Sequence, residues 1–138
     1  MKNYEIIEHT ADIGIRVKGK DLADLFKNAA QAIFEISTEK LPTKDKEKHK
    51  IFVAQKATSL EELFINWLNE VLSLSSAEGL IFEDFQMTKI DEFNVEAIAL
   101  GSDITNYKTN TEIKAATYHQ LKVEKTNSGW LAEVIFDV

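Results

Sequence analysis

Residues 59–90 read SLEELFINWLNEVLSLSSAEGLIFEDFQMTKI, and the change from a helical to a strand pattern inside this stretch decides the fold. Ser59 and Glu62 match the capping box that begins many helices. The apolar residues that follow recur at steps of three and four: Leu60, Leu63, Phe64, Trp67, Leu68, Val71 and Leu72. This stripe predicts an amphipathic helix whose aromatic side chains belong to the core. From Leu80 to Ile90 the pattern becomes that of a strand.

Upstream, two short strands precede another helix. Residues 4–8 are β-like, and residues 13–17 alternate between apolar and other side chains, which is typical of a half-buried strand. Asp21 is placed to cap the next helix. The apolar stripe of that helix is Leu22, Leu25, Phe26, Ala29, Ala30, Ile33 and Phe34. A further strand is predicted over residues 50–55.

Downstream of Ile90, the pattern predicts only strands. They cover Phe93–Gly101, Glu112–Ala116, His119–Lys125 and Trp130–Phe136. The sequence Asn127-Ser128-Gly129 is typical of a hairpin turn, because glycine adopts a positive φ at little cost. Runs of strands after two helices predict an α+β fold. We expect a single domain over residues 1–138, a mostly antiparallel β-sheet with both amphipathic helices packed on one face.

The composition excludes several classes of function. The chain of 138 residues has no cysteine, so disulfides, thiolate metal sites and cysteine nucleophiles are absent. Its formal net charge is −7 and Arg16 is its single arginine, so we expect no strong direct binding of nucleic acid. The N-terminus lacks the apolar run of a signal peptide, and no segment has the length and hydropathy of a membrane span. These features predict a cytoplasmic protein.

The usual catalytic and metal-binding motifs are also missing. No serine lies in a Gly-x-Ser-x-Gly elbow, and no glycine-rich loop precedes a Lys-Ser or Lys-Thr pair. The three histidines, His9, His49 and His119, show no spacing typical of a zinc site. Neither a serine hydrolase nor a standard nucleotide-binding site is therefore indicated.

Oxygen ligands at the two ends of the chain are better candidates. Magnesium and calcium prefer carboxylates and carbonyls, and the sequence offers Asp12, Asp137 and the terminal carboxylate of Val138. These oxygens would meet if the first strand pair and the last strand are neighbours in the sheet. Lys114 and His119 lie five residues apart across an expected strand-to-strand connection. The alternative to a functional site is a structural one. Acids at strand ends are usually solvated, and Lys114 beside carboxylates could form a structural ion pair.

Three segments in order resemble the archease family. They are His9-Thr10-Ala11-Asp12-Ile13-Gly14-Ile15, Lys114-Ala115-Ala116-Thr117-Tyr118-His119 and the ending Phe136-Asp137-Val138. The resemblance spans essentially the whole chain, including the early alanine-rich helix and the helix that carries Trp67. It departs at residues 101–103, where many family members have an acid directly after the glycine. Here Ser102 holds that position, and Asp103 is the nearest acid that could replace it.

The resemblance implies a non-enzymatic helper of the RNA ligase that joins 3′-phosphate or 2′,3′-cyclic-phosphate ends to 5′-hydroxyl ends. The family promotes guanylylation of that ligase and its repeated turnover in tRNA splicing and RNA repair. Asp12 and Asp137 correspond to its divalent-cation ligands, with the Val138 carboxylate as third ligand and calcium the expected ion, magnesium or manganese being alternatives. Lys114 corresponds to the functional lysine, and together with His9 and His119 of the same motifs it is expected to serve contact with the partner and nucleotide transfer.

Two other functions stay open at the level of the sequence. A small metal-dependent hydrolase could use Asp12, Asp137 and His119 around a cation, with the histidine as a base. A general chaperone-like interaction module is the third alternative. Turnover of phosphoesters by the protein alone would favour the hydrolase, and protection of unrelated proteins from aggregation would favour the chaperone.

Overall fold

The computed structural model describes residues 2–8 and 12–138. Its strands are β1 (Tyr4–Glu8), β2 (Ile13–Gly19), β3 (Thr38–Lys40), β4 (His49–Lys56), β5 (Leu80–Ile90), β6 (Asn94–Asp103), β7 (Tyr107–Thr109), β8 (Ala115–Thr126) and β9 (Gly129–Asp137). Its helices are α1 (Leu22–Ser37) and α2 (Leu60–Glu78), and a short 3₁₀ turn covers Ile104–Asn106. In the part of the chain so described, no helix is long and apolar enough to cross a membrane.

Side-chain caps fix where both helices begin. The Asp21 carboxylate accepts a hydrogen bond from the backbone N–H of Asp24 (2.8 Å), and the Ser59 hydroxyl accepts one from that of Glu62 (3.2 Å). Both predicted helix starts are therefore confirmed. The Glu62 carboxylate accepts its hydrogen bond from the backbone N–H of Thr58 (2.9 Å), one residue before the position that a capping box uses.

The strands form antiparallel sheets. A four-stranded sheet has the order β1-β2-β9-β8, a three-stranded sheet has the order β4-β6-β5, and β3 pairs with β7. Every strand pair is antiparallel. The predicted α+β fold with mostly antiparallel sheet and two helices is confirmed, and the structure adds that the strands are divided among separate sheets.

The two helices pack against both larger sheets. Helix α1 contacts β2 and β5, whereas α2 contacts β8 and β4. Trp67 of α2 is fully buried and donates its indole N–H to the backbone oxygen of Phe26 in α1 (2.9 Å). The ring of Phe26 packs edge-on against that of Phe64, with centroids 5.2 Å apart. The helical stripes seen in the sequence therefore form the core, which leaves the opposite faces of the sheets to solvent.

One prediction about the strands is wrong. Residues 115–116 and 119–125 of the two predicted segments belong to one strand, β8, which continues through Thr117-Tyr118, whereas residues 112–114 precede it. The pairing with β9 shifts abruptly, because Thr117 faces Ile135 but Lys122 already faces Glu133. The residues between them form a bulge in which Gln120 has a φ of 52°. A bulge interrupts the alternation of side chains without ending the strand, which explains the error.

Candidate cation site at the end of the four-stranded sheet

The register of three strands brings the predicted site residues to one end of the four-stranded sheet. Ile13, the first residue of β2, pairs with Phe136 of β9. In the same register, Asp12 before β2 and Asp137 at the end of β9 occupy facing positions. Ala115, the first residue of β8, pairs with Asp137. The backbone N–H of Lys114 donates to the backbone oxygen of Asp137 (2.8 Å) and extends this pairing past the strand. The condition set by the sequence, that the first strand pair and the last strand are neighbours, is met.

The side chains at this end are accessible. Asp12 is half-buried, and Lys114, Asp137 and Val138 are exposed. The carboxylates of the two aspartates are hard oxygen donors, the kind that calcium and magnesium prefer, and the Val138 carboxylate predicted as third ligand would be of the same kind. Among residues 2–8 and 12–138, however, no three side chains of His, Cys, Asp or Glu are grouped closely enough to hold a metal ion. The residues fit a divalent cation in kind, and further ligands would have to come from water or a partner.

Helix α2 holds the start of β8 in place. The side chain of Asn69 accepts a hydrogen bond from the backbone N–H of Ala116 (2.8 Å) and donates one to its backbone oxygen (3.2 Å). An amide that satisfies both backbone groups of one residue fixes that residue against the helix. The position of Lys114, two residues earlier, therefore depends on α2 as well as on β9.

A groove of about 890 Å³ opens next to Lys114. It runs between the C-terminal halves of the two helices and the segment that precedes β8. Apolar side chains such as Leu72 and hydroxyl groups such as those of Ser73 and Thr111 line it. The exposed ammonium group of Lys114 thus lies beside a concave surface of mixed polarity.

The two histidines of the motifs are placed differently. His9, with Thr10 and Ala11, lies outside the described residues. His119 is exposed and lies in the bulge of β8, beyond Thr117, whose hydroxyl donates to the backbone oxygen of Ile135 (2.8 Å). The strand register therefore brings Asp12, Asp137 and Lys114 to one end of the sheet but places His119 farther along β8.

Ser102 and Asp103, where the chain departs from the family pattern, have structural partners. Ser102 is 2% exposed and donates its hydroxyl to the carboxylate of Glu83 (2.8 Å). The Asp103 carboxylate accepts from the backbone N–H of Thr105 (2.9 Å) and from its hydroxyl (2.7 Å). These bonds, led by that of the backbone N–H, hold the pKa of Asp103 below its ordinary value. Asp103 thus caps the 3₁₀ turn that follows it.

Sequence reasoning missed a polar cluster around Glu83, formed with Lys40, Lys48, Ser102 and Tyr107. Lys48 and the Tyr107 hydroxyl donate to the Glu83 carboxylate, and the Lys40 ammonium group lies 3.2 Å from it. Burial alone would raise the pKa of Glu83, but the hydrogen bonds from these neighbours lower it to about 2. Burial and the bond to Glu83 raise the pKa of Tyr107. The spacing of these five residues in the sequence does not predict the cluster, because only the tertiary structure brings them together.

Comparisons with known proteins agree along the whole chain. Residues 4–138 match the archease protein family (MTH1598/TM1083). Protein archease of Pyrococcus abyssi is 37% identical, with 100% of both chains covered, and that of Methanosarcina barkeri is 36% identical, with 99% of this chain and 97% of the relative covered.

Two solved structures have the same fold. The solution structure of Methanobacterium thermoautotrophicum protein 1598 matches with a TM-score of 0.76 and 27% identity over 100% of both chains. The crystal structure of a Thermotoga maritima archease, described as a possible chaperone, matches with a TM-score of 0.62 and 26% identity, covering 97% of this chain and 96% of the other. The chain therefore belongs to the archease family.

Proposed function

We propose that this protein is a non-enzymatic activator of the RNA ligase that joins 3′-phosphate or 2′,3′-cyclic-phosphate ends to 5′-hydroxyl ends. In this proposal it acts in the cytoplasm, in tRNA splicing and RNA repair, and promotes the transfer of the guanylyl group from GTP to the ligase. Membership of the archease family supports this assignment. The observation that carries it is the register that brings Asp12, Asp137 and Lys114 to one end of the four-stranded sheet.

The charge of the protein favours action through a partner. With a net charge of −7 and one arginine, the chain as a whole lacks the net positive charge that favours binding of nucleic acid. An activator that contacts the ligase has no need to hold RNA itself.

In the proposed site, Asp12, Asp137 and the Val138 carboxylate hold a divalent cation, with calcium expected and magnesium or manganese as alternatives. Bound there, such an ion supplies positive charge toward the phosphate oxygens of a nucleotide in the partner's active site. Lys114 adds a second, mobile positive charge beside the same end of the sheet. The hydrogen bond from the backbone N–H of Lys114 to the backbone oxygen of Asp137 fixes the backbone of Lys114 beside Asp137.

The test measures guanylylation of the cognate ligase and its single- and multiple-turnover ligation, with and without this protein. Asp12→Asn, Asp137→Asn and Lys114→Met remove one charge each while nearly preserving size. We expect each to lower stimulation at least about tenfold, which corresponds to about 1.4 kcal/mol. Glu92→Gln, an exposed carboxylate in the β5–β6 turn, is the matched control.

Circular dichroism and melting curves separate loss of function from loss of fold. Because Lys114 and Asp137 are exposed, their variants should melt close to the wild type. Folded variants that all stimulate the ligase as well as the wild type would contradict the proposed site. A wild-type protein that neither binds nor stimulates the ligase would contradict the function.

A general chaperone is the second candidate, because the Thermotoga maritima relative is described as a possible chaperone. It predicts that the protein suppresses thermal aggregation of unrelated client proteins. The ligase proposal predicts no such protection at equimolar amounts. Protection of citrate synthase without any effect on the ligase would favour the chaperone.

A further inference from the structure

The outward face of β4 carries an unusually exposed aromatic residue on an edge strand. Side chains at alternate positions of β4 point away from the helices: Lys50, Phe52, Ala54 and Lys56 are exposed, whereas Val53 between them is buried. Phe52 is 62% exposed, more than the other large apolar side chains of the described residues. Strand β4 pairs only with β6, so its other edge is open for pairing in the part of the chain that the structure describes. An open edge is a template for an additional strand.

Phe52 belongs to an apolar stripe that crosses the sheet. Its cross-strand partner on β6 is Ile98, and Leu100 lies opposite Lys50. Ile98 and Leu100 are half-buried, on the face opposite the helices. The stripe has the composition of the centre of a protein interface, with apolar side chains in the middle and polar ones around them.

The rim of this stripe is basic, although the protein is acidic. Lys50 and Lys56 flank Phe52 on β4, and Lys89 of β5 lies across from Glu96 on β6. Three lysines therefore lie around the stripe with Glu96, while Asp84, the β5 partner of Leu100, is paired with Lys27 of α1 (3.1 Å), in a chain whose net charge is −7. This charge is complementary to an acidic partner.

Two other occupants fit less well. A second copy that paired antiparallel through β4 about Val53 would place Lys50 opposite Lys56 of the copy at both ends, and like charges directly opposite are destabilising. Single-stranded RNA stacks on several aromatic rings in sheet-type sites, whereas Phe52 has the aliphatic Ile98 and Leu100 beside it. Aliphatic side chains pack against protein side chains and offer no ring for a base.

We propose that the outward face of β4 and β6 docks an acidic, extended segment of a partner protein, which adds as a strand to the free edge of β4 and covers Phe52. The identity of the partner as the RNA ligase rests on the proposed function. This face is distinct from the end of the four-stranded sheet with Asp12 and Asp137, so binding and activation use different surfaces. The strand addition would give affinity through backbone hydrogen bonds and specificity through Phe52 and the lysines.

The test measures the affinity of the full-length protein for the ligase by calorimetry. We expect Phe52→Ser to weaken binding at least about tenfold, because a large apolar anchor at the centre is lost. The double variant Lys50→Glu/Lys56→Glu should weaken binding similarly. It should also remove the fall in wild-type affinity between about 0.05 and about 0.3 M salt, because that fall reflects screened attraction.

The controls are Ile104→Ser, a 41% exposed apolar residue outside the stripe, and Lys20→Glu/Lys125→Glu, two exposed lysines on or beside the four-stranded sheet. Both should bind the ligase as the wild type does.

Three outcomes would overturn the docking surface. The first is wild-type affinity in both β4 variants while the wild type binds and stimulates, which leaves the proposed function intact. The second is binding of another occupant. A dimer in sedimentation that Phe52→Ser dissociates would assign the face to a second copy of the chain. Binding of an oligouridylate by the wild type, lost in Phe52→Ser, would assign it to RNA. The third is a wild-type protein that does not bind the ligase, which would remove the proposed function and this partner together.

Discussion

Replacing Glu83 with glutamine removes the one negative charge that Lys40 and Lys48 share on the outer side of β5. The amide keeps the shape of the side chain, and its one oxygen can still accept a hydrogen bond from Tyr107 or from Ser102, which bond to different oxygens of the carboxylate, while its NH2 group can donate to the other hydroxyl. What changes is the charge, so two ammonium groups are left near a neutral side chain. The variant therefore tests how much this polar cluster stabilises the fold.

The magnitude follows from the pKa of Glu83. A fall from 4.5 to about 2, at about 1.4 kcal/mol per pKa unit, sets an upper limit of about 3 kcal/mol. The side chain is 22% exposed and both lysines are about half exposed, so solvent screens part of the attraction. We therefore expect Glu83→Gln to lower the free energy of unfolding by about 1–2 kcal/mol at neutral pH.

The pH dependence has a defined sign. Because the pKa of Glu83 is lower in the folded protein, its contribution is fully present above the unfolded value of 4.5 and is lost as the pH falls toward about 2. Urea unfolding followed by tryptophan fluorescence should show the difference between wild type and variant at pH 7 and a smaller one at about pH 3. The dependence of unfolding on urea concentration should keep its slope, so that only the midpoint moves.

Glu92→Gln serves as the control for loss of an exposed carboxylate, with an expected change within about 0.5 kcal/mol. The reasoning about Glu83 would be refuted by a variant as stable as the wild type at pH 7. It would equally be refuted by a loss that stays the same from pH 7 to pH 3, since that would make the effect one of packing and not of charge.

Two further predictions concern the chain end and the last hairpin. Adding Gly-Ser after Val138 should weaken calcium binding in calorimetry, because the terminal carboxylate becomes a neutral amide carbonyl; the same residues added before Met1 are the control, and equal affinities would remove Val138 from the site. Gly129→Ala should cost more than about 2 kcal/mol, because φ is 148° and a Cβ would lie 2.2 Å from the backbone oxygen of Gly19. Gly79→Ala, with φ 64° and no atom within 4 Å of the added carbon, should cost only about 1 kcal/mol. Equal losses in urea unfolding would contradict the role of close backbone approach at Gly129.

The helices and long strands could be predicted because their signals are local. Asp21 and Ser59 form caps with residues three positions away, and an apolar stripe at helical spacing needs no knowledge of the sheet. Strands β3 and β7 have three residues each, too few for an alternation to appear. They exist because they pair with each other, a contact between residues 38–40 and 107–109 that no local pattern reports.

The site could be predicted only in part for the same reason. Asp12 and Asp137 are ordinary acids in the sequence, and it is the resemblance to a family that singles them out. Their position at one end of the sheet depends on the register of β2 with β9. A shift of that register by one residue would move each side chain of the shifted strand to the opposite face of the sheet. The Glu83 cluster shows the limit more sharply, since Glu83 gains its partners from β3, β6, β7 and the segment before β4.

Neighbouring residues of α2 connect the two surfaces that the proposals use. Asn69 holds Ala116 at the start of β8, beside the proposed cation site. Glu70 accepts a hydrogen bond from Gln55 (2.8 Å), on the inner side of β4 behind the proposed docking face. A partner that binds β4 would therefore meet the end with Asp137 at a spacing set by α2, which contacts both β4 and β8. Rigid spacing of this kind allows binding energy at one surface to position charged groups at another, because little freedom remains to be lost when the second contact forms.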